Sequence, residues 1–564
     1  MNDFLYLMKD LANIFTKINL QILELLSREK LHIREIAERI NCSPAKVHAC
    51  IKVFKQNDIV KEVDEKNRKV IVLNIENNLT KQILDLINID KIIEGPYLVA
   101  EKINLFDTIS PLDFRYYGRN KKIFEKLQPY LTESAFVKYA LKVEAALTRA
   151  LAKNGICSNK IADEVEKACR QVTPEMVYAE EDRIKHNMRA LANSIRNKVS
   201  EDAKPFVHFT STSYDIIATA DALRYKEFSS NVLVPELIRL EATLINLALR
   251  EKDTVKVGRT HGQHAEPITF GFAIAEYVSR LGSCIQKIKK SGANLRGKMA
   301  GPVGAYNASS LFFNDPIKFE ENVMEELGLK ASPHSTQIVE PEYMVDFLND
   351  VTAAFGVLAN LADDMRHLQR SEIAEVGEQF ESKQVGSSTM PQKRNPINFE
   401  NVKGMWKEFM PRMMTMYMDQ ISEHQRDLTN SASMRFIPEM LAGFYVSVVR
   451  LDKTMSNLVV DKVNLKKNFD IGRNMIIAEP LYIILAANGH PDAHEYVREM
   501  TLKSQLTKKK LIDLVKSDKT IQPYLKKFTK KQIEVINNPE GYTGIASRKT
   551  ETICNHWKKE LNIN

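Results

Sequence analysis

From about residue 120 to residue 460, apolar side chains return every three or four positions and strand-like runs are few. That spacing dictates helices. The stretches near 212–252, 264–290, 340–375 and 396–425 are each long enough for helices of about 20 residues or more. Helices of that length bury apolar stripes against one another, so the expected fold class is mainly α, built on a long helical bundle. A chain of 564 residues exceeds one core, and three or four domains are expected.

Hydrophobic residues make up 44% of the chain and charged residues 27%, the balance of a soluble globular protein. No uninterrupted apolar run is long enough to span a bilayer and no charged-then-apolar leader opens the sequence. A cytoplasmic location without a membrane partner is therefore expected. The six cysteines (Cys42, Cys50, Cys157, Cys169, Cys284, Cys554) form no CxxC pair and have no histidine at zinc-ligand spacing. They read as reduced, and no metal site is expected. The net charge of +8 lies in residues 501–564, with 14 Lys+Arg against 6 Asp+Glu, so the first 500 residues balance 66 against 66. With few aromatics interleaved, this lysine-rich face reads as solvated helix surface rather than a nucleic-acid patch.

Residues 1–85 form a unit of their own. Ile33, Ile36, Ala37 and Ile40 share one helical face, and Ser43-Pro44 offers an N-cap and first-turn proline for a second helix from Ala45 to Asn57. The β-branched runs 59–63 and 69–73 then flank a charged turn, which reads as a hairpin. Helix, turn, helix and hairpin together resemble the winged helix-turn-helix family. Lys46, His48, Lys52 and Lys55 would face a duplex, with Lys66, Arg68 and Lys69 on the wing. The unit holds 14 basic against 12 acidic side chains, a weak field, so DNA binding, a protein-contact role and a vestigial one all stay open.

Polar constellations interrupt the helical pattern further on. Ile109-Ser110-Pro111-Leu112-Asp113-Phe114-Arg115-Tyr116 holds an Arg-Tyr pair that is either a structural clamp or an anion grip. His186 sits among charges, where a surface histidine is the bland reading. His208-Phe209-Thr210-Ser211-Thr212-Ser213 gathers hydroxyls at a helix start, suited to a carboxylate or to plain N-capping by Ser213. His261 stands between Thr260 and Gly262, where little bulk hides it, and Gln337 lies in another polar break. Gly386-Ser387-Ser388-Thr389-Met390-Pro391-Gln392-Lys393-Arg394-Asn395-Pro396 is poor in apolar side chains and rich in hydroxyls and cations. It reads as a mobile lid over an anion or, on composition alone, as a solvated loop.

This last stretch resembles the signature loop of the fumarase/aspartase superfamily, which eliminates fumarate from succinyl compounds. The Ser-Pro-Leu-Asp-x-Arg-Tyr opening, the Thr260-His261-Gly262 block, the Arg426…Ser431…Arg435 spacing and Tyr542-Thr543-Gly544 are similar to the pattern of adenylosuccinate lyases, in the same order over residues 106–550. The resemblance implies a cofactor-free β-elimination from adenylosuccinate, giving AMP, and from succinylaminoimidazole-carboxamide ribotide. It implies Ser387 as base, its pKa lowered by Lys393 and loop amides, and His261 as acid with Glu400 as orienting partner. His186 is the runner-up for proton transfer and a substrate contact, and His208 is third. Thr212, Ser213, Ser388, Lys393 and Asn395 would hold the succinyl carboxylates, and Gln337, Arg394 and Asn401 would be further substrate contacts. Arg115, Tyr116, Arg426, Ser431 and Arg435 would hold phosphate and ribose. A nucleotide substrate and a homotetramer with shared active sites are implied as partners.

The chain departs from the family at Gln392, where many members carry histidine, and in its N-terminal unit, which the family does not usually carry. The expected division is 1–85 winged helix, 86–105 linker, 106–211 N-terminal lyase domain, 212–459 bundle and 460–564 C-terminal helical domain. Two alternatives remain. One is a superfamily lyase with another succinyl substrate. The other is a metabolite-sensing transcription regulator on a lyase body, which predicts a degraded catalytic set, whereas Ser387, His261 and Lys393 are present.

Overall fold

The computed structural model describes residues 17–65, 68–81, 83, 105–380 and 383–564. The expected linker, apart from residue 105, and Lys66 of the wing lie outside the described residues. The chain forms two compact units, Met1–Asp107 with Val172–Asn197 and Thr108–Gln171 with Lys198–Asn564.

In the first unit, helices α1 (Lys17–Arg28), α2 (Ile33–Arg39) and α3 (Pro44–Gln56) precede strands β1 (Val60–Glu65) and β2 (Arg68–Leu73). Ser43 caps α3 by accepting from the Lys46 amide at 3.3 Å, with Pro44 in the first turn. The strands pair antiparallel, and Leu31 bridges to Ile71 as a short third strand. Ile22, Ile36, Val47, Ile51, Phe54 and Ile71 fill one core, and burial of Phe54 alone contributes roughly 2 kcal/mol. This is the winged-helix arrangement, with β1 two residues and β2 one residue longer toward the turn than the β-branched runs indicate. The helices Pro174–Ile184 and Asn187–Arg196 also belong to this unit.

In the second unit, α4 (Glu133–Lys153) and α5 (Ser213–Phe228) pack together, and α5 runs through a π-helical turn into α6 (Val234–Arg250). A hairpin of β3 (Val255–Thr260) and β4 (Gln263–Thr269) follows. Then come α7 (Phe270–Ala293), α8 (Glu342–Leu368), α9 (Ile397–Phe409), α10 (Ile437–Ser456) and α11 (Lys462–Ile476). Helices α6, α7, α8, α9 and α10 pack each on the next, and α10 closes back on α6. Leu244, Ile274, Leu358, Val402 and Phe444 are among the fully buried side chains of this ring.

Two expectations needed correction. Residues 264–269 are strand, so the helix expected from 264 begins at Phe270. The helix expected over 396–425 stops at Phe409, because Pro411 interrupts the ladder before a short helix at Arg412–Met418. The chain's last long helix, α12 (Ala546–Glu560), returns to the bundle, where Trp557 packs directly on Gly282 of α7. Among the described residues, α8 alone is long and apolar enough to cross a bilayer; it carries Asp346, Asp350, Asp363 and Asp364 and lies in the helix ring.

Candidate active site

The 386–396 loop is pinned at both ends. Asn395 Nδ2 donates to the Gly386 carbonyl at 2.8 Å, and a Cβ at Gly386 would lie 2.2 Å from the Lys393 carbonyl oxygen and 2.9 Å from the Phe380 ring. Only glycine fits there. Ser387 Oγ accepts amide protons from Thr389 at 3.3 Å and Met390 at 3.0 Å, donors that favour negative charge on that oxygen. Ser388 and Lys393 are exposed, and the Arg394 guanidinium lies 5.6 Å from the Phe380 ring centroid.

Beyond Pro396, buried Glu378 caps α9. It accepts from the amides of Asn398 and Phe399 at 2.9 and 3.0 Å and from Asn398 Nδ2 at 2.7 Å. Burial nonetheless pushes its carboxyl pKa above the usual range. Asn398 Oδ1 accepts from Arg450 Nη1 at 2.7 Å, and Asn401 Nδ2 donates to the Tyr116 hydroxyl at 2.9 Å. Arg115, Tyr116, Arg119 and Arg450 thus line a cavity of about 680 Å³, a nucleotide-sized volume. Arg115 and Tyr116 sit on a π-helical turn, Leu112–Tyr117. Arg119, Glu378, Asn398 and Arg450 were not singled out in the sequence, although a lone arginine within the apolar run of α10 was a usable signal for Arg450.

His261 occupies the tip of the β3–β4 hairpin. With Gly262 it forms a two-residue turn in which both have left-handed φ, +53° and +74°, the combination that matches strand twist. Just below the tip the hairpin is locked by Arg259, which pairs with His264 and whose two Nη atoms reach the buried Glu375 carboxylate at 3.0 and 2.5 Å. Burial, and then the Arg259 charge, hold the neighbouring His264 pKa below the usual imidazole value. His261 and Glu400 are both exposed, and among the described residues no hydrogen bond or ion pair joins them.

A third cluster surrounds the start of α5. His208 adopts left-handed φ (+61°), and its amide and Nδ1 both grip buried Glu144, at 3.1 and 2.5 Å. The N-cap is Thr212, not Ser213, which is the first helical residue; the Thr212 amide donates to buried Asp215 at 2.9 Å. The Asp215 carboxylate also pairs with buried Lys298. Burial raises the Tyr214 pKa, while the charges of Arg426 and Arg435 oppose that rise. Arg426, at φ +108°, donates from Nη2 to the Asp419 carbonyl at 2.9 Å, and its Nε is buried without a partner. Gln337 joins this group through its amide, which donates to the Gln425 carbonyl at 3.1 Å, and the Ser431 amide donates to Leu428 at 3.0 Å.

In the first unit, exposed His186 caps its helix by accepting from the Arg189 amide at Nδ1, 3.2 Å away, which leaves Nε2 to carry the proton when the ring is neutral. In the second unit, Gln369 ties the 386–396 loop to the cavity that Glu378 lines, since its Nε2 donates to the Arg394 carbonyl at 3.2 Å and its Oε1 accepts from the Glu378 amide at 3.1 Å.

A family model described as Lyase matches residues 115–410, one described as adenylosuccinate lyase C-terminal matches residues 422–542, and one described as winged helix-turn-helix DNA-binding matches residues 15–61. The chain is 33% identical over 459 residues to the adenylosuccinate lyase of Archaeoglobus fulgidus, covering 80% of this chain and 99% of that protein. It is 34% identical over 454 residues to that of Pyrococcus abyssi, covering 79% and 98%. Among solved structures, the 3-carboxy-cis,cis-muconate lactonizing enzyme from Pseudomonas putida superposes with TM-score 0.67 at 21% identity, over 79% of this chain and 98% of that one. A fumarate lyase from Mesorhizobium sp. BNC1 gives 0.67 and 21%, over 77% and 98%. These likenesses show the fumarate lyase fold.

Proposed function

The chain belongs to the adenylosuccinate lyase family, and from that premise we propose that it eliminates fumarate from adenylosuccinate, leaving AMP, and from succinylaminoimidazole-carboxamide ribotide. Ser387 Oγ removes the proton from the carbon beside a carboxylate, the carbanion is held as an aci-carboxylate, and His261 protonates the departing nitrogen. The observation that carries this reading is the pair of amides, Thr389 and Met390, directed at Ser387 Oγ. A hydroxyl becomes a base only where its anion is stabilised, and these donors, joined by Lys393 on loop closure, supply that.

Thr212, Ser213, Ser388, Lys393 and Asn395 are proposed for the succinyl carboxylates, Gln337, Arg394 and Asn401 as further substrate contacts, and Arg115, Tyr116, Arg426, Ser431 and Arg435 for phosphate and ribose. His186 is the alternative proton carrier. His261 and Glu400, both exposed and with no bond between them among the described residues, favour a homotetramer whose active sites are shared between copies. In this reading residues 1–85 are the winged-helix domain, 86–105 its connector, 106–211 and 460–564 the flanking lyase domains and 212–459 the bundle, in a cytoplasmic enzyme. Equal amounts of AMP and fumarate formed from adenylosuccinate, with nothing released from argininosuccinate, is the expected assay result. Release from argininosuccinate alone would replace adenylosuccinate with another succinyl substrate.

A second role is proposed for the first unit. Helix α3 carries no carboxylate, and Lys46, His48 and Lys52 are exposed on it, which supports its entry into a duplex groove. Binding of the full chain to duplex DNA should weaken steeply with added salt, and Lys46→Ala/Lys52→Ala should flatten that dependence. Salt-independent or undetectable binding would refute the role.

A further inference from the structure

The cavity beside Tyr116 holds more positive charge than Arg115 supplies, because Arg119, Arg450 and Lys453 line it too. Arg450 Nη1 donates to Asn398 and its guanidinium lies 5.9 Å from the Tyr116 ring centroid, while its Nε is buried with no hydrogen-bond partner. Burial depresses its pKa below that of an ordinary guanidinium. The carboxylate lining the same cavity, Glu378, already receives three donors from Asn398 and Phe399, and among the described residues it forms no ion pair with Arg450. A desolvated guanidinium with a buried N–H that meets no acceptor, and with the Glu378 charge near but not ion-paired to it, is stabilised by an incoming anion.

The geometry points to Arg450 as an anion-binding residue of this cavity, which takes a phosphate monoester. That the monoester is the nucleotide substrate rests on the lyase reading above; the anion site itself does not. Glu378 and Asn398 act as positioning residues, since Asn398 is fixed by Glu378 and in turn fixes Arg450.

The test is calorimetric titration of the full-length protein with AMP, adenosine and inorganic phosphate. In the unaltered protein AMP should bind more tightly than adenosine, and phosphate should compete with AMP. Arg450→Met should reduce the AMP preference by about 10- to 100-fold, the range of a charge-assisted hydrogen bond, with adenosine affinity within about threefold. An unchanged AMP preference in folded Arg450→Met would overturn the assignment. A measurement without a variant guards against misfolding: AMP, but not adenosine, should protect Arg450 from an arginine-selective dicarbonyl reagent, read by mass spectrometry. Equal protection by both, or by neither, would also overturn it. Failure of the lyase reading would appear separately, as absent fumarate release from a protein that still binds AMP.

Discussion

Asn401 donates a hydrogen bond to the hydroxyl of Tyr116 at 2.9 Å across 285 positions of sequence. That bond ties the Arg-Tyr turn near the start of the lyase body to the helix that follows the signature loop. Tyr116→Phe removes the acceptor and keeps the ring beneath Arg450. KM for adenylosuccinate should rise about three- to tenfold with kcat within about twofold, the worth of one neutral hydrogen bond. A fall in kcat at unchanged KM would place Tyr116 in the chemical step instead.

Gly386 is where the signature loop folds on itself, because any side chain there meets the Lys393 carbonyl. Gly386→Ala should lower kcat by about 100-fold through displacement of Ser387, with little change in thermal midpoint, since the loop is not core. Steady-state kinetics beside a melting curve decide the matter. Full activity in Gly386→Ala would mean that the loop's folded-back form is not the working one.

Buried Glu144 holds His208 in a left-handed conformation through two bonds. Glu144→Ala should cost about 2–3 kcal/mol of stability, the range for bonds to a charged group, measured by denaturant unfolding. Recovery of most of that loss by Glu144→Gln would separate hydrogen bonding from charge.

The long helices were legible because their apolar stripes repeat over many turns, and the winged helix because Ser43-Pro44 and two β-branched runs punctuate a short segment. The β3–β4 hairpin was not. Its strands are short, its turn is His261-Gly262 rather than an Asn-Gly pair, and Phe270 continues apolar spacing from β4 into the helix. At the site, loop and Arg-Tyr motifs stand out as local sequence, whereas Glu378 and Arg450 matter only through contacts 20 and 52 positions away, at Asn398. Such partners carry no local signature.

Glu241 on α6 is fully buried, neither carboxylate oxygen has a hydrogen-bond partner, and burial drives its pKa well above the carboxylate norm. The folded state therefore holds this proton more tightly than the unfolded state. The stability it contributes is complete below the unfolded pKa, about 4.3, and is lost as pH rises toward the folded value. Glu241→Gln should gain stability relative to the unaltered protein between pH 5 and pH 8. A difference in melting temperature that does not vary with pH over that interval would contradict this.

The most direct measurement is fumarate release from adenylosuccinate by the unaltered protein and by Ser387→Ala, with substrate binding followed in parallel. The account predicts turnover in the first, loss of at least about a thousandfold in kcat in the second, and binding retained in both. Ser387→Ala turning over at the unaltered rate would contradict the assignment of the base. No fumarate from the folded, unaltered protein would contradict the lyase reading itself.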